Sequence, residues 1–492
     1  MDTTRLDRRV FLGLAACAAG EISAGTAPAA AQTGQPRQQA LCRELPVGKP
    51  YDVVVCGGGP SGVAAALAAR RAGLDVLVVE GQGQLGGNGT SGLVSHWLGG
   101  RTSDCQRWVV GGVFRSMCEE TAERGIALVP VPDPAKKYQP HGWFKGQLAA
   151  GIPFDPYGMA TYLDEKMAAA EVDVLLLTQA VDSVMEQGRI THVVLFNKSG
   201  LAAVPAGAVI DATGDADLAA RTGCELVKGR DSDSLMTPAS LTFHVTGVDQ
   251  EALDAYIHEH DCPRFRKKIL ELRESGEWTF PYEIFISVQL EEKGTMMINT
   301  TRLVGIDGTD GASITEGMIR GRREVEKLMT LMREHFPGFA QARLKCVAPL
   351  LGVRETRRIR GRYVLSVEDL AAGRAFDDTI GFSAYGWDLA DPKRPSENPS
   401  HGRKLAVTPI PYRILVPAPV ENLICPGRAV SVERPVLGPL RVMAPSMAMG
   451  EAAGEAAAAV VRNRVAFRDV DPKALREALR AQGAIVDWPR IS

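Results

Sequence analysis

The run Asp52-Val53-Val54-Val55-Cys56-Gly57-Gly58-Gly59-Pro60-Ser61-Gly62 limits the fold more than any other stretch of the chain. Apolar residues precede three glycines, and Val63-Ala64-Ala65-Ala66-Leu67-Ala68-Ala69 follows. The pattern predicts a buried strand, a tight turn and a helix. Gly57, Gly59 and Gly62 have the spacing of a dinucleotide-binding turn. Gly57 allows the sharp reversal, Gly59 lets a pyrophosphate reach the main chain, and Gly62 lets the helix lie close to the sheet. Pro60 and Ser61 open the helix, whose free N–H groups and dipole would face phosphate charge. Further on, Leu74-Asp75-Val76-Leu77-Val78-Val79 reads as a second strand ending at Glu80, placed to accept from ribose hydroxyls. Gly81 to Gly86 matches the same glycine pattern, but no apolar strand leads into it and no helical pattern follows, so that match is fortuitous.

A chain of 492 residues suits two to three domains, or one large α/β body with an insertion. A net charge of -2 gives no reason to expect nucleic acid or an anionic membrane as partner. No apolar run is long enough for a spanning helix. None of the nine cysteines has CxxC spacing, so neither a metal site nor a dithiol centre is expected. Residues 1–31 read as a twin-arginine signal peptide: Asp7-Arg8-Arg9-Val10-Phe11-Leu12, a short apolar run, then small residues at Ala29-Ala30-Ala31 for cleavage before Gln32. Leu14-Ala15-Ala16-Cys17 also fits a lipoprotein site that would leave Cys17 lipid-anchored. A periplasmic or otherwise exported location, reached through the twin-arginine machinery, is the expectation.

A glycine-rich stretch, Leu85-Gly86-Gly87-Asn88-Gly89-Thr90-Ser91-Gly92-Leu93, follows Glu80 and indicates backbone brought close to something. The spacing predicts helices over 112–123 and 157–170, and strands over 172–181 and 190–197. Ala208-Val209-Ile210-Asp211-Ala212-Thr213-Gly214-Asp215-Ala216-Asp217 reads as a buried strand followed by a helix with Asp215 and Asp217 in its first turn. Near the C-terminus come Asn422-Leu423-Ile424-Cys425-Pro426-Gly427-Arg428 and Arg441-Val442-Met443-Ala444-Pro445-Ser446, the latter opening a helix kept narrow by Gly450, Ala453 and Gly454. In this order the segments resemble the FAD-dependent oxidoreductases of the glutathione-reductase-like class, and more narrowly an exported bacterial family of them, over about residues 51–482.

The resemblance implies an α/β fold: a Rossmann-like FAD-binding domain with an inserted α+β substrate domain. The plan is a signal over 1–31, a linker over 32–50, FAD-binding parts over 51–225 and 410–465, a substrate or cap domain over 226–409, and a C-terminal helix and tail over 466–492. Beside the glycine turn and Glu80, it implies Gly87 and Asn88 along the pyrophosphate and ribityl chain, Val181 near the adenine, and Gly214, Asp215, Gly427 and Gly450 around the cofactor. The C-terminal helix would point its N-terminus at the flavin N1–C2=O edge.

A dehydrogenase passing hydride from a small organic substrate to flavin N5 is the leading expectation. No second dinucleotide unit exists, so a quinone, a redox protein or dioxygen would be the acceptor. His96 and His401 are candidate bases. Arg354, Arg357 and Arg358 are candidate anion ligands, or an ion-pair set with Glu355. The run Arg264, Arg266, Lys267 and Lys268 reads as a solvated helix face. The alternatives are a flavin monooxygenase or halogenase-like enzyme, and a non-catalytic FAD-stabilised binding protein.

Overall fold

Tyr51–Cys56 is a strand (β1), Pro60–Arg71 a helix (α1) and Val76–Val79 the next strand (β2) in a computed structural model that describes residues 44–131, 150–397 and 407–489. The signal expected at 1–31, Cys17, most of the linker expected at 32–50, and His401 lie outside the described residues. Next come His96–Trp97 (β3), Gly112–Glu123 (α2), Ile152–Pro153 (β4), Pro156–Ala169 (α3), Asp173–Leu175 (β5), Gln179–Glu186 (β6), Arg189–Asn197 (β7) and Gly200–Asp211 (β8). The single strand expected over 172–181 is two. Leu177 takes a left-handed φ of 51°, which turns the chain out of one sheet direction into another.

The main sheet has the order β5-β2-β1-β8-β7-β6. β8 does two jobs: residues 200–205 pair antiparallel with β7, and residues 206–211 pair parallel with β1. Alternation along β1 divides the core. Val53 and Val55 face α1, whereas Val54 and Cys56 pack with Leu77, Val79, Val193 and Leu195 on the other side.

The inserted part runs through Leu226–Lys228 (β9), Phe243–Thr246 (β10), Gln250–His260 (α4), Arg266–Glu274 (α5), Ser287–Gln289 (β11), Met296–Ile298 (β12), Gly311–His335 (α6) and Arg343–Val347 (β13). Its antiparallel sheet has the order β11-β12-β10-β13. Phe243, Val245, Met296 and Ile298 point to a core with α4 to α6 that is rich in Phe265, Trp278, Phe285, Phe336 and Phe339. Val288 and Met297 point to the opposite face. Arg264 precedes α5 instead of lying on its solvated face.

The chain then forms Arg357–Ile359 (β14), Val367–Ala371 (α7), Thr379–Ser383 (β15), Thr408–Pro411 (β16), Leu423–Ile424 (β17), Leu437–Leu440 (α8), Met443–Asn463 (α9) and Pro472–Ala481 (α10). β17 returns to the main sheet beside β8. This is a Rossmann-like α/β body with an inserted α+β part. Among the described residues no helix is long and apolar enough to cross a membrane.

Two contacts hold the returning chain. α9 lies against α1 so closely that a Cβ on Gly454 would stand 2.1 Å from the Ala65 carbonyl oxygen, and one on Gly450 would stand 2.0 Å from that of Ser61. The carboxylate of Glu355, fully buried, accepts two 2.8 Å bonds from Arg434, one of 3.2 Å from Arg358 and one of 2.8 Å from the Thr237 N–H. We predict that Gly454→Val destabilises the fold by about 3 kcal/mol, because backbone cannot yield as a side chain can. Glu355→Ala should cost about 3–5 kcal/mol by leaving buried guanidinium charge uncompensated. Denaturant midpoints of the purified variants test both.

Candidate functional site

The turn after β1 is built by close backbone approach. Gly57 has φ +106°, and a Cβ there would stand 2.5 Å from the Ala212 carbonyl oxygen. A Cβ on Gly62 would meet the Gly57 oxygen at 1.8 Å. Gly59 differs: a Cβ there would meet only the Cα of Gly87, at 4.0 Å, so the space above it is open. α1 starts with Pro60, has no side-chain cap and carries no acidic residue in its first turn. Its positive end is therefore available to an anion.

Gly87 lies directly opposite Gly59, and the Gly86 N–H donates to the Gly58 carbonyl at 2.8 Å. Asn88 follows and lines the large cavity described below. Glu80, 8 % exposed, accepts 2.7 Å bonds from the N–H groups of Gly58 and Gln82. Burial pushes its carboxyl above the usual range, against the pull of those N–H groups. Val181 is the extra residue of a bulge in β6, between Ala180 and Asp182. That strand begins beside Glu80, whose carbonyl accepts from the Thr178 N–H.

The segment after β8 departs from expectation. No α-helix follows Gly214, so Asp215 and Asp217 cap nothing. The buried Asp211 does that work, accepting from the N–H groups of Leu218 and Ala219 at 3.0 and 2.9 Å. Asp215 instead accepts from Arg428 at 2.7 Å and from the Thr356 hydroxyl at 2.6 Å, and Asp217 pairs with Arg357. Arg428 also lies 3.1 Å from where a Gly214 Cβ would be, and its buried Nε has no protein partner among the described residues. Gly427, at φ +97°, sits against Ser61, with its would-be Cβ 3.0 Å from the Ser61 hydroxyl. Gly57 to Gly62, Gly87, Asn88, Gly214, Asp215, Gly427 and Gly450 thus gather around one corner.

From that corner a cavity of about 960 Å³ runs to the inserted sheet. Asn88, Arg428, Val442 and Met443 line it on one side, and Ser240, Thr242, Val288, Met297 and Asn299 on the other. Val442 and Met443 begin α9, which has no side-chain cap and no acidic residue in its first turn. Among the described residues five arginines line the cavity (Arg264, Arg302, Arg354, Arg428 and Arg441) with one carboxylate, Asp388. Asp388 accepts from the Tyr385 hydroxyl at 2.5 Å and from Arg441 at 3.1 Å. Burial pushes its carboxyl up, but Arg441, Tyr385, Arg354 and Arg302 outweigh that and hold it below the ordinary value.

His96 is buried on β3 and lines the cavity. The three arginines grouped in the sequence part company. Arg354 enters the cavity, Arg357 holds Asp217, and Arg358 joins Glu355 in the core. Arg302, Asn299, Tyr282, Tyr385 and Asp388 were not singled out from the sequence. The one signal for them is the alternation Met296-Met297-Ile298-Asn299, whose second and fourth residues face the cavity.

Digeranylgeranylglycerophospholipid reductase 1 of Methanopyrus kandleri is 30% identical over 213 residues, 42% of this chain and 50% of that protein. The chain spans about half the length of the curated relatives it matches. A geranylgeranyl bacteriochlorophyll reductase-like structure from Thermoplasma acidophilum aligns over 88% of this chain and 83% of its own, with 14% identity and a TM-score of 0.44. A p-nitrophenol 4-monooxygenase from Pseudomonas putida aligns over 88% of both chains, with 13% identity and a TM-score of 0.44. The family model described as FAD dependent oxidoreductase matches residues 52–479, and the chain belongs to that family: it is an FAD-dependent oxidoreductase of the glutathione-reductase-like fold.

Proposed function

We propose that FAD binds along the corner formed by Gly57 to Gly62, Glu80, Gly87, Asn88, Gly214 and Gly427, and that a small organic substrate occupies the adjoining cavity. Three features fit the cofactor: the open space over Gly59, the uncapped N-terminus of α1, and the buried Arg428 Nε without a hydrogen-bond partner among the described residues. Bound FAD supplies two-electron chemistry. The residues around it bind, orient and exclude water. The N-terminus of α9 opens on the same cavity, where its dipole favours negative charge.

The lining carries the reading of the reaction. Fixed positive charge dominates it, and its carboxylate is held ionised by Arg441 and Tyr385, which makes Asp388 a poor proton acceptor. Such a lining stabilises a substrate or transition state that gains negative charge, while its carboxylate is ill suited to take up a proton. We therefore favour the monooxygenase- or halogenase-like alternative, with electrons delivered from outside by a reduced quinone or redox protein, over the dehydrogenase first expected. The curated relatives, named reductases, also spend electrons on their substrate. His96 supports the second reading: it is the one histidine among the described lining residues and could take a proton in a dehydrogenation. The twin-arginine reading of residues 1–31 would place either reaction outside the cytoplasm.

Anaerobic reduction separates the two. Bleaching of the flavin only by an added reductant such as dithionite or a reduced quinone is the expected outcome. Bleaching by an organic substrate alone would establish the dehydrogenase. The cofactor placement has its own test. Gly59→Val, whose side chain would enter the open space, and Glu80→Ala are each expected to lower FAD retention about tenfold or more, read from flavin absorbance per protein. Unchanged retention in both would refute it.

A further inference from the structure

We infer that the part of the cavity lined by Arg302 and Arg354 is a subsite for the anionic head, a carboxylate or a group of like charge, of an otherwise apolar substrate. This rests on the reading that substrate occupies the cavity. Asn299 ties two guanidinium groups together there. Its carbonyl accepts from Arg302 Nη1 at 2.9 Å, and its side-chain oxygen accepts from Arg354 Nη2 at 3.1 Å. Arg354 also donates to the Pro238 carbonyl at 2.8 Å, and the Arg302 guanidinium lies 3.9 Å from the Tyr282 ring centroid. These partners are neutral. Among the described residues neither Arg302 nor Arg354 has a carboxylate within ion-pair distance; Asp388, engaged by Arg441, and Glu324 act on them only from farther off.

Guanidinium groups stay charged in proteins. Two of them held side by side with neutral partners are electrostatically incomplete in a low-dielectric site. Burial, followed by Arg302 and Arg441, pulls the Arg354 pKa well below its ordinary value, which has the same cause. The hydrogen bonds of the Arg302 head all use Nη1, so Nη2 and Nε have no hydrogen-bond partner among the described residues. The planar fork that remains suits a carboxylate. The buried Thr242 hydroxyl also lines the cavity, without a hydrogen-bond partner among the described residues. Ile286, Val288 and Met297 continue the wall as an apolar surface for the rest of the molecule.

Benzoate and benzamide test this, since they share a shape and differ in charge. Calorimetric titration of the FAD-loaded full-length protein at fixed ionic strength should find benzoate bound at least about tenfold more tightly. Arg354→Met and Arg302→Met should each abolish that preference. Arg266→Met, at an exposed ion pair with Glu283, should retain it. Arg354→Met should also keep or raise Tm without benzoate and lose the benzoate-dependent Tm rise, whereas a purely structural arginine would lower Tm when removed. Equal binding of the two probes, no binding of either, or an unchanged preference in Arg354→Met would overturn the subsite. The wild-type comparison decides the matter even if a variant does not fold. Bleaching by substrate alone would remove the external-reductant reading and leave this result standing, so the two failures are distinguishable.

Discussion

Everything in this molecule depends on α1 and α9 lying backbone to backbone. A side chain larger than hydrogen at Gly450 or Gly454 would overlap main-chain oxygens of α1. Close packing of this kind leaves no room for adjustment, so it sets the position of the returning helix to within a fraction of an ångström. Its consequence is functional. The first turns of α1 and α9 face the same way, that of α9 reaching farther along the chain pair, and both are uncapped and free of acidic residues. Two positive helix ends so placed favour an extended anionic cofactor.

Charge is handled differently on the two sides of the cavity. In the core, Arg358 and Arg434 are matched by Glu355, and at the corner Arg428 is matched by Asp215. Facing the inserted sheet, Arg302 and Arg354 hydrogen-bond to neutral groups only, among the described residues. The contrast makes general ion-pair bookkeeping an inadequate account of the second group. Arg358, Arg434, Arg428 and Arg441 are each given a carboxylate, whereas Arg302 and Arg354 have none within ion-pair distance among the described residues.

The corner was legible in the sequence because its requirements are local. A sharp turn, a close strand–helix contact and an acid at the end of the next strand each restrict residue type at short range, and Gly57, Gly62 and Glu80 show it. The Asp215 helix was misread for a related reason: an acid after a strand and a glycine looks like a cap, but Asp211, one face deeper, had already taken the N–H groups. The strand over 172–181 was misjudged because a left-handed residue at Leu177 leaves no mark on hydrophobic alternation. Arg302 escaped notice altogether, since nothing within its own neighbourhood distinguishes it from a surface arginine.

By itself, then, the sequence determined the strand–turn–helix start, the parallel core and the cofactor class, all of which follow from steric and periodic demands on neighbouring residues. Only the tertiary structure decided which of Arg354, Arg357 and Arg358 faces the cavity, that Arg302 and Asn299 join it, and that Arg428 rather than a helix end engages Asp215. These are contacts between residues tens to hundreds of positions apart. Their geometry is set by how sheets and helices pack, and no local pattern encodes it.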